Sequence, residues 1–123
     1  MKPVTHVLVV DDDAPIRDFV KATLEGEGYA VITAENGSVA LQLLTGPASY
    51  QPDLILLDMR MPILDGWQFA KAYRDLPGKK VPIIVLTAAT DPAKFAAQIK
   101  ADNYLPKPFD LLDLLDMVEQ FTH

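Results

Sequence analysis

The stretch VLVVDDD, residues 7–13, joins four apolar residues directly to three carboxylates. An apolar run without polar alternation is typical of a strand that is buried on both faces of a parallel sheet. Residues 54–57 and 83–86 form runs of the same kind, and weaker strand candidates lie at Ala30–Ala34 and Asn103–Pro106. The sequence therefore predicts five strands.

Each predicted strand is followed by a segment whose apolar residues recur at helical spacing. Asp91 and Asp110 are the predicted N-caps of the last two helices. Because every parallel strand needs a crossover connection, this alternation predicts an α/β fold, a doubly wound five-stranded parallel sheet with five helices on its two faces. The helical apolar positions are Ile16, Phe19, Val20 and Leu24; Val39, Leu43 and Leu44; Phe69, Tyr73 and Leu76; Phe95 and Ile99; and Leu111, Leu114, Leu115 and Val118.

The chain has 123 residues, half of them apolar, which suffices for one buried core and is too few for two ordinary domains. No linker or repeat divides it, so we expect a single domain over residues 1–123 without an output domain. The absence of cysteine excludes disulfides and thiolate chemistry, and it fits a cytoplasmic protein. No segment has the length and apolar character of a membrane span or a signal peptide.

The formal net charge of −6 argues against direct binding to nucleic acid, because contacts to the phosphate backbone need clustered Lys and Arg. Acidity alone is usually a solvated surface property that keeps a protein in solution. The carboxylates that bear on function are those at the ends of the buried strands, where an ordinary surface charge is not expected.

Polar side chains follow the apolar runs at the points where the predicted strands end. Because the carboxyl ends of parallel strands meet at one edge of the sheet, we expect these side chains to converge in a crevice there. They are Asp11, Asp12 and Asp13 after the first strand, Asp58 after the third, Thr87 after the fourth and, through Pro106, Lys107 after the fifth.

Carboxylates that share a crevice repel each other unless a cation lies between them. Oxygen ligands without nearby Cys or His suit a hard ion, and a small cluster that leaves room for water and phosphate oxygens suits Mg²⁺. The Lys107 ammonium and the Thr87 hydroxyl are suitable partners for the oxygens of a phosphoryl group, and an Asp carboxylate can itself be the nucleophile. The pattern predicts phosphoryl transfer to an aspartate.

Each of these residues also has an ordinary structural explanation. Asp13 precedes Ala14 and Pro15 and is expected to be the N-cap of the first helix. Thr87 alone would more often be a strand-end residue, and Lys107 alone a solvated charge. Their combination at one sheet edge is what favours a functional site.

Four segments together resemble the receiver domain of two-component response regulators, and the resemblance covers essentially the whole chain. They are VLVVDD at residues 7–12, DMRMPILDG at 58–66, LTA at 86–88 and YLPKPF at 104–109. The resemblance implies the flavodoxin-like strand order 2-1-3-4-5. It also implies a phosphorelay role as a phosphoprotein that switches partner binding, so that catalysis of its own phosphorylation and dephosphorylation serves signal transduction.

The same resemblance implies roles for individual residues. Asp58 corresponds to the phosphoacceptor, and Asp12, Asp58 and the backbone carbonyl of Arg60 to the Mg²⁺ ligands. Asp11 would orient the waters of the metal, and Lys107 would pair with Asp58 and the phosphoryl group.

Signalling would involve Thr87, which bonds a phosphoryl oxygen, and Tyr104, the aromatic switch residue of the family. The Lys107–Pro108 peptide bond is expected to be cis. The implied partners are a histidine kinase or histidine phosphotransfer protein and a downstream protein, with no nucleic acid and no membrane.

Two departures from the family pattern fall between Thr87 and Lys107. This segment is shorter than usual, which predicts a clipped fourth helix. Lys100 stands where the family usually ends that helix with glycine, and a left-handed lysine costs on the order of 1 kcal/mol. We therefore expect this helix to end differently.

Three alternatives share parts of the pattern. A haloacid-dehalogenase-like phosphatase would use Asp11 and Asp13 as an Asp-x-Asp nucleophile motif, but no acidic metal pair follows Lys107 at a strand end, and the chain lacks room for a cap domain. A flavodoxin-like flavin protein would have a Ser/Thr/Gly-rich phosphate loop after the first strand, where this chain has three carboxylates. A silent pseudo-receiver would lack at least one site residue, and none is missing here.

Overall fold

A computed structural model describes residues 3–46, 50–88 and 92–122. Strands and helices alternate in it, as the sequence predicts. The strands are β1 (His6–Val10), β2 (Ala30–Ala34), β3 (Leu54–Asp58), β4 (Ile83–Thr87) and β5 (Asn103–Pro106), and the helices are α1 (Ala14–Gly26), α2 (Gly37–Thr45), α3 (Gly66–Asp75), α4 (Pro92–Gln98) and α5 (Leu111–Thr122).

The five strands form one parallel sheet in the order β2-β1-β3-β4-β5. This arrangement confirms the predicted doubly wound fold and its strand order. Within the described residues, none of the helices combines the length and the apolar character that crossing a bilayer requires.

Two apolar cores, one on each face of the sheet, explain why the central strands carry unbroken apolar runs. Alternate residues of β1, β3 and β4 pack under α2, α3 and α4 on one face, with Phe69 as a large, fully buried ring. The intervening residues pack under α1 and α5, where Leu24 and Leu114 are buried. Because both faces are covered, these strands are apolar from Val7, Leu54 and Ile83 onward until each reaches the carboxyl-end edge of the sheet.

The helix starts are fixed largely by side-chain caps. Asn36 accepts a hydrogen bond from the Val39 amide at the start of α2, and Asp110 caps α5 as predicted. Asp65 and Gln68 form a reciprocal capping box at α3. Asp13 is the N-cap residue of α1, as predicted, but its side chain makes no capping hydrogen bond. Asp91 lies outside the described residues.

Within the described residues, which resume at Pro92, helix α4 spans seven residues and is short, as the shortened segment predicts. The expectation that it would end without a left-handed residue is wrong. Lys100 has φ 55° and forms a Schellman turn, in which the Lys100 and Ala101 amides donate to the carbonyls of Ala97 and Ala96. The Arg74 guanidinium on α3 donates to the carbonyls of Ile99 and Lys100, and so stabilises a turn that lysine alone disfavours.

We predict that Lys100→Gly raises the free energy of unfolding by about 1 kcal/mol, because glycine adopts positive φ without steric cost. Urea denaturation measures the gain. Lys79 is the control, since it is an exposed lysine outside the left-handed region, and Lys79→Gly should give no increase. Equal stabilities of wild type and Lys100→Gly would contradict the prediction.

Candidate functional site

The carboxyl ends of β1, β3, β4 and β5 bring the predicted site residues to one edge of the sheet. The register pairs Val10 with Leu57 and Thr87 with Pro106, so the residues after these positions emerge close together. One carboxylate oxygen from each of Asp11, Asp12 and Asp58 lies within 4.8 Å of the others.

The three carboxylates differ in their exposure to solvent. Asp11 is fully buried and Asp58 is 5% exposed, whereas Asp12 is open to solvent. The Lys107 Nζ atom lies 2.8 Å from Oδ2 of Asp11 and 3.7 Å from Oδ2 of Asp58. With one ammonium beside three carboxylates, the cluster retains a negative charge that a second cation would neutralise.

The electrostatics of the cluster shift two pKa values. Burial, the charge of Asp11 and a hydrogen bond with Asp12 raise the pKa of Asp58 to about 7, although Lys107 and the Arg60 amide oppose the rise. Burial acts to lower the pKa of the Lys107 ammonium, but the ion pair with Asp11 and the charge of Asp58 outweigh it. The pKa of Lys107 is therefore raised, and the ammonium stays charged at neutral pH.

Asp11 is held in place by contacts that the sequence did not predict. The Arg17 guanidinium donates to the Asp11 backbone carbonyl at 2.8 Å, and the Asp13 amide donates to Asp11 Oδ1 at 2.9 Å. Arg17 lies in the first turns of α1, from which its side chain reaches back over the β1–α1 loop. The position of Arg17 so close to the carboxylates is the sequence signal for this contact, although arginines on solvated helix surfaces show the same pattern.

The β3–α3 loop, residues 59–65, positions Asp58 from the other side. The Arg60 amide lies 3.4 Å from Asp58 Oδ1 as a donor, and the Gly66 amide donates to the Met59 carbonyl at 2.9 Å. A Cβ at Gly66 would lie 2.6 Å from Met59 Cα, so only glycine allows this loop to fold back so closely. Ile63 has φ 71° within the same loop and is 80% exposed.

The remaining predicted residues lie around this cluster. Thr87 is buried at the end of β4, and its carbonyl accepts the Lys107 amide at 2.8 Å. Tyr104 is half-buried on β5 and packs against the core under α3 and α4. The Lys107–Pro108 peptide bond is cis, as expected. Arg60 is exposed, and its guanidinium carbon lies 5.5 Å from the centroid of the Phe95 ring.

The donor set fits a hard divalent cation. Its side-chain ligands are carboxylates, and oxygen donors of this kind suit Mg²⁺ rather than a softer metal. The exposure of Asp12 gives an ion an open approach to the two buried carboxylates behind it.

Comparison with known proteins gives consistent matches over most of the chain. Residues 7–119 match the model of the response regulator receiver domain family. The response regulator MprA of Mycolicibacterium vanbaalenii is 42% identical over 112 residues, which are 89% of this chain and 47% of that protein. The chain thus spans about half the length of the curated relatives it matches.

Solved structures agree with this result. The chemotaxis response regulator CheY4 of Vibrio cholerae has a TM-score of 0.85 and 35% identity, covering 97% of this chain and 99% of that one. The response regulator TrrA of Thermotoga maritima, solved in complex with Mg²⁺-BeF, has a TM-score of 0.81 and 36% identity, covering 96% and 99%.

We predict that Asp58→Asn stabilises the metal-free protein at neutral pH by on the order of 3 kcal/mol. The folded-state pKa of Asp58 is raised to about 7, so ionisation of this carboxyl destabilises the fold progressively between pH 4 and pH 7. The gain from Asn should be near zero at pH 4, grow up to pH 7 and then level off.

Denaturation of both proteins in a chelating buffer across this pH range measures the difference. Asp18→Asn, which removes an exposed carboxylate on α1, is the control. A gain from Asp58→Asn that shrinks as the pH rises would contradict the assignment of a raised pKa.

Proposed function

This chain belongs to the response regulator receiver domain family, and from that membership we propose that it accepts a phosphoryl group on Asp58 in a Mg²⁺-dependent reaction. The donor would be the phosphohistidine of a histidine kinase or a phosphotransfer protein. The observation that carries the proposal is the position of the Asp58 carboxylate between Asp11, Asp12 and the Lys107 ammonium.

Asp58 is the nucleophile in this proposal. Its carboxylate oxygen forms the new bond to phosphorus while the bond between phosphorus and the histidine nitrogen breaks, and the released imidazole takes up a proton. The reaction needs the ionised carboxylate. The Lys107 ammonium favours that form of Asp58 and lies within reach of the incoming phosphoryl oxygens.

Asp12 and Asp58, with the backbone carbonyl of Arg60, would hold the Mg²⁺ ion, and Asp11 would orient its waters. When bound, the ion neutralises charge on the carboxylates and on the phosphoryl oxygens. The binding of Mg²⁺-BeF by the relative TrrA supports this assignment. Asp11 is suited to its role because Arg17 and the Asp13 amide fix its position.

Thr87 and Tyr104 are the proposed switch. The Thr87 hydroxyl would donate to a phosphoryl oxygen, and a charge-assisted bond of about 1.5–3 kcal/mol shifts a two-state equilibrium roughly 10- to 150-fold. The half-buried Tyr104 ring would then turn inward, into space that the small side chain of Ala88 would leave; Ala89 and Thr90 lie outside the described residues. Addition of beryllofluoride should therefore change the NMR shifts of Tyr104, and shifts confined to the acidic cluster would contradict the switch.

The phosphatase alternative is disfavoured by the site itself. Its nucleophile would be Asp11, whose carboxylate is fully buried and lies against Lys107, out of reach of a substrate phosphate. Family membership likewise argues against a flavin site.

We predict that a small phosphodonor such as acetyl phosphate adds one phosphoryl group to the wild-type chain when Mg²⁺ is present. Intact-mass measurement detects the adduct, and a chelator should abolish it. Asp58→Asn should remain unlabelled because it lacks the nucleophile. Asp53→Asn, another carboxylate next to β3, is the matched control and should label normally. Labelling of Asp58→Asn at the wild-type rate would refute the proposal.

We predict a ranking of Mg²⁺ affinity between two neighbouring carboxylates. Asp12→Ala should weaken binding at least about 10-fold because Asp12 belongs to the cluster, whereas Asp13→Ala should change it little because Asp13 lies at the start of α1. Calorimetric titration of each variant with MgCl₂ measures both affinities. The opposite ranking would mean that the register of the β1–α1 loop is assigned incorrectly.

A further inference from the structure

The basic residues of this acidic chain are concentrated in one region. Residues 60–100 contain seven of the eleven Lys and Arg but only three of the seventeen Asp and Glu. This third of the chain therefore carries a formal charge of +4, and the remainder carries −10. The seven basic residues are Arg60, Lys71, Arg74, Lys79, Lys80, Lys94 and Lys100.

Two adjoining cavities lie within this region, between α3 and the end of α4. One, of about 300 Å³, is lined by Trp67, Ile99 and the basic side chains of Lys71, Arg74 and Lys100. The other, of about 290 Å³, shares Arg74 and Lys100 with the first and extends to Lys80 and to Asp102, whose carboxylate accepts the Ile83 amide. We call the two together the α3–α4 cleft. Its wall combines an indole ring with four basic residues and one carboxylate, so its charge is net positive.

Two of the four basic side chains at the cleft form hydrogen bonds within the fold, and the other two are exposed. The Arg74 guanidinium donates to the end of α4, and Lys80 donates to the carbonyls of Leu76 and Gly78 after α3. Lys71 and Lys100 form no ion pair within the described part of the chain. Their ammonium groups are exposed at the cleft and available to an external anion.

Lys100 is the residue that points to a function. It adopts a left-handed conformation that glycine would adopt without cost, and it lines both cavities of the cleft. Residues with unfavourable backbone conformations are concentrated at functional sites such as active sites and ligand-binding regions. A lysine in this turn is explained if its charge is needed at the cleft.

We propose that the α3–α4 cleft binds an acidic peptide segment of a partner protein. Carboxylates of the segment would pair with Lys71 and Lys100, and an apolar side chain would pack between them against Trp67 and Ile99. Trp67 is suited to this contact because its ring is held by an edge-to-face contact with Phe95, at 5.0 Å between centroids, and by a 2.9 Å hydrogen bond to Gln98. This binding site is separate from the chemistry proposed at Asp58.

The charge distribution favours a short acidic peptide over other anions. A nucleic acid carries regularly spaced charges well beyond a patch of this size, and it would meet the −10 charge of the rest of the chain. A second copy of the chain could offer Asp113, Asp116 and Glu119 of α5, but a contact between unlike surfaces builds rings or open filaments instead of a two-fold dimer.

The test uses the fluorescein-labelled peptide EELEE, its neutral counterpart QQLQQ and the full chain. Anisotropy should show that EELEE binds, that added salt weakens the binding, and that QQLQQ does not bind. The NMR signal of the Trp67 indole N–H should move on addition of EELEE. Since Trp67 is the only tryptophan, this signal reports the cleft directly.

Lys100→Gly should weaken EELEE binding about 3- to 5-fold, and a double variant with Lys71→Ala should weaken it further. Because Lys100→Gly is expected to stabilise the fold, unfolding cannot account for the loss. Lys21→Ala removes an exposed lysine on α1 and should leave binding unchanged. Acetyl phosphate labelling of Asp58 in the Lys100→Gly variant should be normal, which separates this proposal from the function proposed above.

Several results would overturn the proposal. These are equal binding of EELEE and QQLQQ, an unchanged affinity for EELEE in Lys100→Gly, or NMR shifts that spare the Trp67 indole. Tighter binding of a single-stranded oligonucleotide through the same lysines would assign the cleft to nucleic acid. Concentration-dependent association in sedimentation velocity, lost in Lys100→Gly, would assign it to a second copy of the chain.

Discussion

Burial of two carboxylates at the edge of an apolar sheet is the constraint on which this structure depends. An ionised carboxylate in such a place is costly unless a counter-charge lies beside it. Asp11 and Asp58 come from β1 and β3, in the middle of the sheet, while the Lys107 ammonium follows β5 at its edge. The counter-charge can reach them only when β1, β3, β4 and β5 are paired, so the site forms together with these four strands.

Much of the fold was predictable because the central strands are covered on both sides. Continuous apolar runs at β1, β3 and β4 follow from that burial, and they end where the polar residues of the site begin. The edge strands β2 and β5 gave weaker signals because each includes partly exposed positions. Spacing along the chain contains no information about which strands are neighbours, so the strand order came from the family resemblance and not from the pattern itself.

The contacts that sequence reasoning missed share a physical feature. Arg17 and Arg74 both donate to backbone carbonyls. Because every residue has a backbone carbonyl, the sequence does not show which of them accepts a side-chain hydrogen bond. The prediction for the end of α4 failed for this reason. The local conformational preference of lysine disfavours the left-handed conformation of Lys100. The hydrogen bonds from the Arg74 guanidinium to the same turn stabilise it enough to offset this preference. Tertiary contacts often override local preference in this way.

Arg60 connects the acidic cluster with the α3–α4 side of the molecule. Its backbone amide faces Asp58, while its guanidinium lies over the Phe95 ring of α4, which in turn contacts Trp67 at the wall of the cleft. These three contacts join the two regions without involving Thr87 or Tyr104. The attraction between the guanidinium and the ring depends on the position of the loop that carries Arg60. The loop that carries Asp58 and the short helix α4 are therefore parts of one contact network, although they lie on separate elements of the fold.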